Sequence, residues 1–124
     1  MKFVLAASNR YWWPVTVRAP HPTEAGKIEE QTFNIQIEPM PRDEGIKQSE
    51  ILSGLTAMKD IAAHEHEQLR TVCKNWDGVV DDDENPVAFT LENFDAALQQ
   101  PWFRTGLYRA LAESQSGEEA RLGN

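Results

Sequence analysis

Three groups of residues in this 124-residue chain have side chains capable of chemistry. The first is His64-Glu65-His66-Glu67, two imidazoles and two carboxylates in a row. On a helix, residues two apart point to different sides. A single ion held by one helix face needs ligands three or four apart, as in HExxH, and that spacing is absent here. The run therefore reads as a solvated helix face. The second group is the acidic stretch Asp81-Asp82-Asp83-Glu84-Asn85-Pro86. Asp81, Asp83, Asn85 and Glu92 fall at positions 1, 3, 5 and 12 of an EF-hand-like calcium loop. Position 6 requires a glycine for its sharp turn, and Pro86, with φ fixed near −65°, stands there instead. The expectation is a solvent-exposed turn without calcium. The third is Cys73, the one cysteine. It lies on an apolar helix stripe and reads as a small buried hydrophobe, with no intramolecular disulfide available. No serine or cysteine sits in a nucleophile signature, and no glycine-rich phosphate loop is present. The chain is expected to be no enzyme, with no catalytic, cofactor-binding or metal-ligating residues and no cofactor.

What remains is aromatic surface. Trp12 is followed by Trp13, and Trp102 by Phe103. Neighbours on a strand or helix point in different directions, so either one member of each pair is exposed or both are buried in a two-sided core. Exposed aromatics are typical interface anchors. The expected contact surface for a partner lies on the C-terminal pair of helices, at Trp102, Phe103, Leu107, Tyr108 and Leu111. Phe103, Leu107 and Leu111 share one stripe, while Trp102 and Tyr108 lie off it.

The elements that must position these residues change character along the chain. Trp13, Val15 and Val17 alternate with polar or turn-forming neighbours, as do Phe33, Ile35 and Ile37. Period-two alternation marks strands with one buried face, and 19–27 is turn chemistry, so an antiparallel hairpin is predicted. Residues 2–6 are apolar enough to add a third strand. Pro39-Met40-Pro41 ends this regime. Beyond it, Ile51, Leu55, Met58, Ala62, Leu69, Val72 and Trp76 fall on steps of three and four, one stripe of a single long helix or of two shorter ones, with Glu65 interrupting it and Gly78 as its stop. Thr90 is a good N-cap for a helix over about 91–99, with Phe89 and Phe94 placed as a hydrophobic staple. Pro101 suits the first position of the next helix, which fades by Ser116-Gly117. The reading is one α+β domain over 1–124. Its β-rich part, a hairpin or three-stranded meander, covers 1–38. A helical part of three to four helices covers 43–116, and 117–124 is a frayed tail.

Composition bounds the function. The net charge is −8; residues 1–42 carry five basic and four acidic groups, and residues 43–124 carry seven and sixteen. An acidic chain gains nothing from counterion release on a phosphate backbone, which disfavours nucleic acid as a partner. The apolar start at Met1–Ser8 is too short for a signal sequence, and no stretch approaches the roughly 20 apolar residues of a membrane span.

The run from Arg70 to Thr90 resembles the central segment of the tail assembly chaperones of long-tailed bacteriophages: a helix ending near Trp76, the acidic turn 81–86, and an apolar-Phe89-Thr90 helix cap. Glu92-Asn93-Phe94 with Leu98, and Pro101-Trp102-Phe103 with Leu107 and Tyr108, are similar to that family's closing helices. Trp13–Arg18 followed by Glu30–Phe33 resembles its N-terminal hairpin, and Arg121-Leu122-Gly123-Asn124 its small, basic, polar ending. The sequence departs from the family at Asn85-Pro86, where the turn usually carries glycine, and 43–72 lies outside the likeness. The resemblance implies a scaffold role in the host cytoplasm, binding the tape measure protein and keeping it soluble before the tail tube polymerises. The tail tube protein and a second copy of the chain are further candidate partners. Many such chaperones are made in two lengths by ribosomal frameshifting, and this chain would be the short form. The alternative is another small phage or prophage protein, a tail or neck component or an acidic inhibitor of a host factor.

Overall fold

The computed structural model describes residues 1–120; the polar ending at 121–124, part of the expected tail, lies outside the described residues. The chain is α+β. Strands β1 (Tyr11–Pro20) and β2 (Ile28–Ile37) form the predicted hairpin, followed by α1 (Arg42–Ser53), α2 (Met58–Val72), β3 (Cys73–Asp77), α3 (Leu91–Leu98) and α4 (Pro101–Gln115). The sheet is antiparallel in the order β1-β2-β3.

Two expectations are corrected. The third strand is not residues 2–6, which are exposed and unpaired; it is 73–77, which occupies the free edge of β2. The helical stripe, in turn, neither reaches Trp76 nor stops at Gly78. It is two helices, broken at 54–57, and the second ends at Val72, with Cys73 already extended at φ −96°, ψ 119°. The cause of the misreading is a β-bulge. Ile37 pairs with Cys73 and Gln36 with Asn75, so Lys74 is the extra residue. On a regular strand Cys73 and Trp76, three apart, would face opposite ways. The bulge turns both inward, and a spacing of three then imitates a helix stripe.

The core lies between one face of the sheet and helices α3 and α4. Val15, Val17 and Ala19 of β1 and Phe33, Ile35 and Ile37 of β2 alternate inward, joined by Cys73 and Trp76. Phe94 and Leu98 of α3 and Phe103, Leu107 and Ala110 of α4 close it from above. Phe33 stacks on Phe103 with ring centroids 5.4 Å apart, and the Trp76 Nε1–H donates to the Val87 carbonyl at 2.7 Å. Thr90 caps α3 as expected, its hydroxyl accepting from the Asn93 amide at 3.0 Å, and Phe89 meets Phe94 at 5.2 Å. Helix α4 approaches β1 closely at Gly106, where an added Cβ would stand 2.6 Å from the Thr16 carbonyl oxygen. Among the described residues no helix is long and apolar enough to cross a membrane.

Candidate functional site: a groove between three helices

Helix α1 buries none of its residues. Its amphipathic signal is weak because Ile46, Ile51 and Leu52 are spread around polar neighbours, and each stays partly exposed. It is held to α2 by His64, whose Nε2 lies 3.2 Å from the Gln48 carbonyl and 2.6 Å from the Gln68 side-chain nitrogen. This is where the His-Glu-His-Glu run lands: His64 joins two helices.

Because α1 stands off from the body, it leaves an open groove of about 700 Å³ against α2 and α4. Met40 and Pro41 line it from the link between β2 and α1. Ile46 and Glu50 come from α1, Glu65, Leu69 and Val72 from α2, and Tyr108 and Leu111 from α4. The lining is mixed: Met40, Ile46, Leu69, Val72 and Leu111 stand beside serines, glutamines and the charged Arg42, Glu50 and Glu65. Burial, followed by the hydrogen bond to Glu65 and its negative charge, raises the Tyr108 pKa above the usual tyrosine range, with Arg104 opposing. Its phenol is therefore neutral at physiological pH and presents an apolar ring with a polar tip. A concave surface that mixes apolar and polar groups suits an amphipathic helix.

The five residues expected to form a contact surface separate. Tyr108, 41 % exposed, and Leu111 wall the groove. Phe103, at 7 %, and Leu107, at 0 %, belong to the protein's own core and do not face a partner. Their stripe is the one that meets the sheet. Trp102 is half-buried at a different place, a cleft of about 260 Å³ shared with Thr16, Arg18 and Arg109, and its Nε1–H donates to Gln100 Oε1 at 2.9 Å. Of the tandem tryptophans, Trp12 is exposed and Trp13 packs on the core. Sequence reading missed Met40, Ile46, Glu50, Leu69 and Val72 as groove residues. The one available signal was Glu65, a carboxylate set into an apolar stripe.

The other chemical groups are engaged locally. Cys73 is 1 % exposed, and burial pushes its thiol pKa up to about 12 against the opposing pull of Lys74. In the acidic turn, Asp81 Oδ1 accepts from the Asp83 and Asn85 amides at 2.9 and 3.0 Å. The Val80–Pro86 bridge closes that turn, and Glu84 carries a positive φ of 63°. Among the described residues no cluster of three or more His, Cys, Asp or Glu is placed to hold a metal ion. Compared with protein-family models, curated proteins and solved structures, the chain matches none.

Proposed function

We propose that this protein is a tail assembly chaperone of a long-tailed bacteriophage, in its short form, acting in the host cytoplasm. It binds the tape measure protein and keeps that long helical client soluble until the tube forms. The observation that carries this reading is the open groove between α1, α2 and α4, lined by both apolar residues and the carboxylates of Glu50 and Glu65, on a scaffold of net charge −8. A client helix lays its apolar face along Ile46, Tyr108 and Leu111, and its basic residues meet Glu50 and Glu65, the helix-in-groove mode of recognition. The acidic remainder keeps the complex in solution. The resemblance over Arg70–Thr90 and the closing helices supports the same reading.

Co-expression tests it. The tape measure protein of the same phage should co-purify with this protein and be soluble only in its presence. Tyr108→Ala should weaken the complex by about 1–3 kcal/mol while the melting temperature barely moves. Tape measure protein that is equally soluble without this protein rules the reading out.

A further inference from the structure

The smaller cleft lies between α4 and the outer edge of β1, and it shares no residue with the groove. β1 is an edge strand. The His21 amide donates to the Lys27 carbonyl at 2.8 Å, one step beyond the Pro20–Ile28 pair. Alternation along an antiparallel ladder then gives the odd-numbered residues of β1 the bonds to β2 and turns the amides of Thr16 and Arg18 outward. Pro14 and Pro20, which have no N–H to offer, fall on the same outward positions. Arg18 thus brings an outward-facing amide as well as a guanidinium to the cleft. The opposite wall comes from Pro101, Trp102, Thr105 and Arg109 of α4. Among the described residues no member of this lining is acidic, in a chain with 20 acidic and 12 basic side chains.

We propose that this cleft binds a carboxylate carried on a small apolar or aromatic body. One positive charge is available to it. Arg18 is already paired with Glu30 at 2.6 Å, whereas Arg109 forms no ion pair among the described residues. A single uncompensated guanidinium suits a monoanion better than a phosphate dianion, and its planar fork matches a carboxylate with two parallel hydrogen bonds. The Arg18 amide and the Thr105 hydroxyl are further donors. The body of the ligand lies against Trp102 and Pro101. The indole is fixed by its N–H bond to Gln100 Oε1 at 2.9 Å, so this apolar wall is in place before the ligand arrives. Thr16 adds an independent sign. Its Oγ1 is buried and has no hydrogen-bond partner among the described residues, and an orphaned hydroxyl is a mark of a missing water or ion. The space of about 260 Å³ falls just below the range of about 300–1,000 Å³ that takes drug-sized molecules, so the ligand is a small acid. The inference does not rest on the groove or on its client.

Benzoate is the probe, added to the full chain. In proton–nitrogen correlation spectra the Trp102 indole N–H, assigned by its loss in Trp102→Phe, should shift with benzoate and saturate below about 10 mM. Arg109→Gln should weaken binding by roughly tenfold or more. Arg109 is exposed, so circular dichroism melts of that variant should match the wild type. Benzyl alcohol, a ring without the charge, should leave the indole signal in place, and inorganic phosphate should bind more weakly than benzoate. N-acetylphenylalanine separates two sources of the carboxylate. Binding tighter than benzoate assigns it to the end of a peptide chain, weaker binding assigns it to a free organic acid, and either result upholds the site. A Trp102 indole indifferent to benzoate, an equal shift with benzyl alcohol, phosphate binding tighter than benzoate, or unchanged affinity in Arg109→Gln would each overturn the proposal.

Discussion

Gly106 carries more of the fold than its missing side chain suggests. A Cβ there meets the Thr16 carbonyl at 2.6 Å, and that atom belongs to the backbone of β1 and cannot rotate away. Gly106→Ala must lift α4 from the sheet, and an overpacked core of this kind costs about 1–3 kcal/mol. Urea denaturation should show a lower midpoint with an unchanged slope. Cys73 makes the second prediction. Its thiol is neutral in the folded protein until about pH 12, against a reference value of 9.0 in an open chain. The unfolded state therefore holds fewer protons than the folded one between those limits. Stability should be flat with respect to this group below pH 8 and fall as pH rises above about 9, with a slope approaching about 1.4 kcal/mol per pH unit. Tyr108, also raised, adds to the loss in the same direction at still higher pH. Unfolding followed from pH 7 to 11 should lose this extra slope in Cys73→Ala, whatever that change does to the absolute stability.

At the level of elements, the two cleanest sequence signals were the alternation in β1 and β2 and the cap-and-staple signature before α3. Both are local, so a single sequence carries them. Thr90→Ala should cost about 1 kcal/mol by leaving the Asn93 amide without its acceptor, measurable as a lower melting temperature. The third strand was hidden for the opposite reason. The bulge at Lys74 is a property of pairing with β2, and nothing within 73–77 distinguishes its spacing from a turn of helix. The groove was hidden further still. It joins residues from 40, 46, 65 and 111, on elements whose arrangement only the folded core decides. Within α4 the sequence correctly placed Phe103 and Leu107 on one stripe, but a stripe alone does not say whether it faces the chain's own sheet or a partner.

Seen whole, the molecule has two unequal parts. The sheet with α3 and α4 holds nearly all the buried side chains; α2 contributes Leu69, and α1 contributes none. Residues 1–10 are exposed throughout and lie outside both, so replacing Phe3 and Leu5 by Asp should change the unfolding free energy by no more than about 0.5 kcal/mol. Denaturant titration checks this. The bare footing of α1 has its own consequence. A helix that buries nothing opens at little cost, and opening free energies within one protein span from near zero to the global value. Amide hydrogens of 46–53 should exchange with solvent orders of magnitude faster than those of 103–111, with the rest of the chain still folded. One wall of the groove is then a door on a loose hinge, and whatever enters sets the width of its own seat.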